Sequence, residues 1–190
     1  MERLYIEDAV FEKINFTEKL LTEAGYDNCT FRHCDFSNVD LSNIHFSECT
    51  FTGCNLSMVT LTETHLQDVE FKDCKLLGVH FEQCNEFLLS ISIDNCLLNL
   101  ASFFRLKLKK MRFKNSSLHE VDFTDADLSD AVFDNCDLSR AVFENTNLEK
   151  ADFRSAYNYS IDPERNRVKK AKFSLQGAVG LLDKYDIHID

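Results

Sequence analysis

Between residues 96 and 153 a large apolar residue returns at every fifth position: Leu98, Phe103, Leu108, Phe113, Leu118, Phe123, Leu128, Phe133, Leu138, Phe143, Leu148 and Phe153. Two positions before each stands a smaller or near-apolar residue, among them Cys96, Ala101, Val121, Ala126, Cys136 and Ala151. The unit is small-x-large-x-x. An α-helix repeats apolar residues at three and four and a strand at two, so neither continuous element accommodates this beat. Three residues alternating in-out-in, followed by two outward polar residues, describe a minimal strand and a corner. Such a unit cannot bury its apolar side alone and must coil and stack on copies of itself. The chain is expected to be a solenoid.

An earlier run keeps the same beat from Phe31 through Phe36, Leu41, Phe46, Phe51, Leu56, Leu61, Leu66, Phe71 and Leu76 to Phe81. Phe81 and Leu98 then lie seventeen positions apart where fifteen would preserve the register, so two residues are inserted between Cys84 and Cys96. The segment 85–91 is the expected site, as a bulge or short loop that re-aims the chain or presents a surface. Ahead of residue 30, Ile6, Phe11, Phe16, Leu21 and Tyr26 hold the beat, but Lys19 falls on an inward position. A small insertion or a distorted first coil is expected there.

The eight cysteines occur where the repeat wants a small inward residue, which reads as core filling by reduced thiols rather than a disulfide framework. There is no CxxC pair, and no His or Cys set has metal-ligand spacing, so no metal or cofactor is expected. His45 and His65 are twenty apart and stack on one side in a twenty-residue coil, which reads as surface decoration. No GxSxG, Walker loop or GxGxxG is present and the shaft is filled by Phe and Leu, so an enzyme is not expected. No N-terminal apolar run and no membrane-length apolar segment occurs, which makes the cytoplasm the expected compartment.

Charge gives an independent measure of coil length. Residues 105–114 carry Arg105, Lys107, Lys109, Lys110, Arg112 and Lys114, with no acid among them. Asp125, Asp127, Asp130 and Asp134 follow Arg105, Lys107, Lys110 and Lys114 by twenty residues. A four-unit coil would stack these as opposite-charge neighbours, whereas a three-unit coil would stack none. Four sides are therefore expected.

The units beginning at Ala126, Ala131, Cys136, Ala141 and Ala151 match the A(D/N)LXX signature, and over roughly residues 5–155 the chain resembles the pentapeptide-repeat proteins. The resemblance implies an all-β fold: a right-handed quadrilateral β-helix with a short C-terminal helical cap. At about 4.8 Å per coil, seven to eight coils make a rod of about 35 Å. Residues 1–155 would form the β-helix, interrupted near 85–95, and residues 156–190 a capping and dimerisation tail. In that tail Ser174 can cap a short helix through about Tyr185, with Leu175, Ala178, Val179 and Leu182 on one apolar stripe. Ile187 and Ile189 follow with strand-like alternation. These six apolar residues are the expected homodimer interface.

The tail and the interruption near residue 85 resemble the branch of that family that protects bacterial type II topoisomerases, which includes quinolone-resistance and microcin-immunity proteins. That resemblance implies a dimeric rod that mimics DNA and engages gyrase or topoisomerase IV, without binding nucleic acid or membrane itself. A net charge of −11 fits an anionic binding surface. The expected partner-binding residues are Glu120, Asp122, Asp125, Asp127, Asp130, Asp134 and Asp137, a run free of basic residues from 120 to 137. The alternative is a β-helical interaction scaffold with another partner, for which the basic strip at 105–114 would serve as docking site.

Overall fold

Each five-residue unit makes one side of a square coil, and four units bring the chain back above its starting point. The computed structural model, which describes residues 5–19, 21 and 25–188, places Thr30 beside Thr50, Phe31 beside Phe51 and Arg32 beside Thr52 in parallel register. The coil is thus twenty residues long, as the charge spacing predicts. One side is the four-stranded sheet of β1 (Tyr5–Glu7), β3 (Gly25–Asp27), β5 (His45–Ser47) and β7 (His65–Gln67). The adjoining side is seven-stranded, from β2 (Val10–Glu12) through β4 (Thr30–Arg32), β6 (Thr50–Thr52), β8 (Val69–Lys72), β9 (Ile91–Asp94) and β10 (Arg112–Lys114) to β11 (Val132–Asp134). Single parallel bridges build the other two sides, for example Asn15 to Asp35 to Asn55 and Ser102 to Asp122 to Val142.

The shaft is filled, which explains the abundance of phenylalanine. Phe31 stacks on Phe51 with ring centroids 4.6 Å apart, Phe103 on Phe123 at 5.4 Å and Phe113 on Phe133 at 5.1 Å. Neighbouring columns meet edge to face, as Phe113 and Phe123 do at 5.7 Å. Both geometries are the favoured ones for aromatic pairs, and flat rings match the short rise of a parallel ladder.

The small inward residue has a second task. The Sγ of Cys49 donates to the Tyr26 carbonyl at 3.3 Å, and that of Cys74 to the Phe51 carbonyl, also at 3.3 Å. Thr64 Oγ1 donates to the Leu41 carbonyl at 2.8 Å and Thr146 Oγ1 to that of Phe123 at 2.9 Å. A thiol or hydroxyl here is small enough for the shaft and reaches the carbonyl of the large residue one coil earlier. The eight cysteines are free and buried.

Burial pushes the thiols of Cys49, Cys84 and Cys136 up to about 12. Above the ordinary thiol value of 9.0 the unfolded chain releases protons that the folded chain keeps. Stability is therefore full below that value and falls as pH rises toward about 12, by up to about 1.4 kcal/mol per pH unit for each thiol. A disulfide-exchange reagent should leave the thiols of the native protein unreacted and titrate them on unfolding, and denaturation midpoints should drop steadily in alkali. Rapid labelling of the folded protein would refute the closed shaft.

Corners take a left-handed residue. Asn28, Asp73, Asn95, Asn115 and Asn135 all have φ between 49 and 55°. Asn and Asp tolerate this region best after glycine, and here their side chains also bond from coil to coil. Asn95 Nδ2 donates to Asp73 Oδ1 at 2.6 Å and Asn135 Nδ2 to Asn115 Oδ1 at 3.0 Å.

The two-residue slip is seen where it is expected. Val69 pairs with Ile91, and Lys72 with Asp94, twenty-two residues on. The extra residues form a loop at 85–90, held by Asn85 N donating to the Thr64 carbonyl and Ser90 N to that of Leu66. Near Lys19, no net insertion occurs, because β1 and β3 are already twenty apart. A turn in which Lys19 N donates to the Asn15 carbonyl distorts the first coil there.

The ladder continues beyond residue 155, with Arg167 bridged to Asn147 and Lys172 to Asp152. The tail then folds over the open end of the shaft. It makes two 3-10 turns, Gly177–Leu181 and Asp183–Tyr185, in place of the single helix expected. Two glycines in five residues weaken an α-helix, and close packing on Tyr159 selects them. A Cβ on Gly180 would stand 2.0 Å from the Tyr159 carbonyl oxygen. Ser174 Oγ accepts from Gly177 N at 2.9 Å, but the residue in front of the first turn is Gln176 and no side chain caps it, so Ser174 is not the cap expected. Ile161 N donates to the Gly180 carbonyl, and Lys184 Nζ lies 2.8 Å from Asp162 and 2.7 Å from Glu164. Ile187 forms no strand, and Ile189 lies outside the described residues.

Candidate functional site

A square coil distributes a contiguous run of residues around itself. Asp122 belongs to the bridge column Ser102, Asp122, Val142; Asp127 to Lys107, Asp127, Asn147; and Asp137 to Ser117, Asp137, Tyr157. Asp134 closes β11 on a further side. The seven acids expected to make one face, Glu120, Asp122, Asp125, Asp127, Asp130, Asp134 and Asp137, therefore form a belt around the rod, with Glu120, Asp125 and Asp130 at its corners.

Several belt residues have local partners. Glu120 pairs with Arg140 at 3.0 Å, Asp125 with Arg105 at 3.4 Å and Asp130 with Lys150 at 3.9 Å. Asp127 accepts from Ser129 N and Asn147 Nδ2, and Asp134 from Ser155 Oγ. At Asp137 partial burial opposes ionisation, but hydrogen bonds from Ser139 and Asn158, with His119 nearby, outweigh it and hold the carboxyl below its usual range.

The carboxylates that share a side recur along the rod instead. The side containing the column Ser102, Asp122, Val142 carries Asp40, Glu63, Asp122, Asp125 and Glu144 at outward positions, with Glu82 among them but largely covered and bonded to His80 Nδ1 at 2.8 Å. Its cations are Arg105, beside Asp125, and Arg165, which pairs with Glu144 at 2.6 Å. Of these acids, sequence reasoning named Asp122 and Asp125. The others follow no strict period: Asp40 stands in the column of Asp122, but Thr60, His80 and Ser102 lie between them, so only the coil register places these acids on one side.

The basic strip also departs from expectation. Of the four stacked ion pairs predicted, Arg105 with Asp125 forms. Lys107 is bridged to Asp127 through the backbone, but the Asp127 carboxylate turns to Asn147. Asp130 turns to Lys150, and Lys114 turns the other way, to Asp94 at 2.9 Å. The hydrogen bond from Lys114 holds the Asp94 carboxyl below its usual range.

The His45 and His65 rings stack at 3.8 Å between centroids, as their spacing predicts. Among the described residues no group of three or more His, Cys, Asp or Glu is placed to hold a metal ion. At the 85–90 loop Phe87 is 72% exposed and Leu88 stands in a left-handed conformation. In the tail Leu181 packs on the core. Leu175, Val179, Leu182 and Ile187 face outward, Leu175 at 92% exposure, while Ala178 is half-buried. Among the described residues no helix is long and apolar enough to cross a membrane.

A four-sided parallel solenoid of five-residue units, with a filled shaft and its chemistry on its sides, defines the class of protein. Family models for the pentapeptide repeat region match residues 24–103, and models for pentapeptide repeats in eight copies match 96–135 and 116–155. The chain belongs to the pentapeptide-repeat family. Among solved structures it is similar to full-length QnrB1, a plasmid-mediated fluoroquinolone resistance protein, at 19% identity and a TM-score of 0.55, over 96% of this chain and 100% of that one. A trypsin-treated form of QnrB1 aligns at 22% identity and a TM-score of 0.50, over 99% and 98%. HetL, a pentapeptide-repeat protein involved in heterocyst differentiation regulation from the cyanobacterium Nostoc sp. strain PCC 7120, aligns at 17% identity and a TM-score of 0.42, over 90% and 87%. No curated protein matches the sequence.

Proposed function

We propose that this protein is a non-catalytic, cytoplasmic DNA mimic that occupies the DNA-binding surface of a bacterial type II topoisomerase and protects the enzyme from a drug or toxin. The observation that carries this reading is the side on which Asp40, Glu63, Glu82, Asp122, Asp125 and Glu144 recur along a rod of net charge −11. Carboxylates spread along one side of a parallel solenoid present negative charge to a surface built for phosphates. The fold similarity to a plasmid-mediated fluoroquinolone resistance protein supports a drug-protective role. Two copies join through the outward tail residues Leu175, Val179, Leu182 and Ile187, which doubles the length of the anionic side.

The test is a supercoiling assay with purified gyrase, with and without a fluoroquinolone, at two salt concentrations. Protection or inhibition that weakens in high salt is expected, and E82Q/D122N/E144Q should reduce it at least about tenfold. L182E should sediment as a monomer. No effect of the unaltered protein at any concentration would sink the topoisomerase reading. A second reading, an interaction scaffold with a different partner, is favoured by Lys107, Lys109, Lys110 and Arg112 of the basic strip, which have no ion pair among the described residues.

A further inference from the structure

The loop at 85–90 opens the ladder as well as lengthening it. The sheet of β1, β3, β5 and β7 ends at His65–Gln67, and its column resumes only with the bridge from Lys107 to Asp127. On the adjoining side β9 pairs with β8 from Ile91 onward, but with β10 only at Ile93 and Asp94. A groove lies in this gap. Ser90 and Ser92 line it on one flank, and Lys107, Lys109, Lys110 and Arg112 on the other.

Three facts make the groove more than a solvated basic patch. All four cations are exposed, and among the described residues none of them has an ion pair. The acids that could have neutralised Lys107 and Lys110 from the next coil are engaged elsewhere, Asp127 with Asn147 and Asp130 with Lys150. Half-buried Leu89 and Ile91 add an apolar wall beside the charges.

We infer that this groove binds a short, extended acidic peptide segment of a protein partner, a function separate from that of the anionic side. Lys107 and Lys109 flank inward-facing Leu108 and so project on the same side about 6–7 Å apart. Acidic residues at alternate positions of an extended peptide repeat at that same distance. Its intervening apolar residues suit the wall at Leu89 and Ile91. A long polyanion is disfavoured, because Asp127, Asp130 and Asp134 lie one coil further along and would repel it.

The experiment is a fluorescence-anisotropy titration of the full chain with a labelled hexapeptide of alternating glutamate and valine. A hexapeptide of the same composition, with its three glutamates consecutive, is the control. The alternating peptide should bind at least about fivefold more tightly than the control and weaken on going from about 50 to about 300 mM salt. K107S/K109S/K110S, three exposed changes that leave the melting temperature in place, should weaken it at least about tenfold. Equal binding by the variant, or no preference for the alternating peptide, would overturn the proposal. So would inorganic tripolyphosphate or duplex DNA binding at the strip without displacement by the peptide.

Discussion

Phe113→Ala is expected to lower the unfolding free energy by about 3–5 kcal/mol. Phe113 is fully buried, stacked on Phe133 at 5.1 Å and touched edge-on by Phe103 at 5.6 Å and Phe123 at 5.7 Å. Its column is short of aromatic support on one face, because the residue paired with it in the preceding coil is Ile93. Parallel backbones locked at ladder spacing cannot collapse into the void, so most of the cavity persists. Each coil of a solenoid is stabilised chiefly by its neighbours, so hydrogen exchange should quicken first in the coils around Phe113. Phe104, which faces outward under the Arg105 guanidinium at 4.6 Å, is the control. Phe104→Ala should change stability by about 0.5 kcal/mol or less. Equal costs for the two variants in guanidinium denaturation would remove the stacked shaft as the main source of stability.

The second large effect is at the end of the shaft. Asn166 stands where Cys, Thr or Ala stands in other coils, and it is buried. Its Oδ1 accepts from Thr146 N at 2.8 Å, while its Nδ2 donates to the Phe143 carbonyl at 2.8 Å and the Asp162 carbonyl at 3.0 Å. One amide thus satisfies three backbone groups at the last turn of the coil. Asn166→Ala strands the buried members of that set and should cost about 2–4 kcal/mol. The loss should appear as rapid exchange of the Thr146 and Arg167 amides while the ladder around Phe51 stays protected. Protection that is unchanged near residue 146 would show that water replaces the amide.

What the sequence made legible was whatever repeats at one interval. The inward residues, the twenty-residue coil, the slip of two before Leu98 and the inward cysteines all follow from a short period imposed by shaft geometry. The functional surface depends on the coil register instead. Asp122 and Asp127 are five apart in the chain yet lie on different sides, whereas Glu82 and Glu144 share a side across three coils. Reading 120–137 as one face applied linear adjacency where the coil enforces separation. The ion pairs failed for another reason. Register placed Lys107 beside Asp127, but Asn147 on the opposite flank is equally near and donates at 2.8 Å. In a ladder every side chain has two neighbours, and position does not choose between them. The tail was misread as one helix because its apolar spacing is helical, while Gly177 and Gly180 answer to the close approach of Tyr159.

The loop at 85–90 is absorbed within a single coil. Pairing at twenty resumes between Lys107 and Asp127 and between Arg112 and Val132, as though nothing had been added. Most folds transmit an insertion by displacing an element from its packing partners. Here the core on either flank is indifferent to how much chain leaves the wall at that corner, provided it returns to Ile91. Length at this position is therefore a free variable for evolution, and for anyone wishing to graft a foreign segment onto a stiff rod.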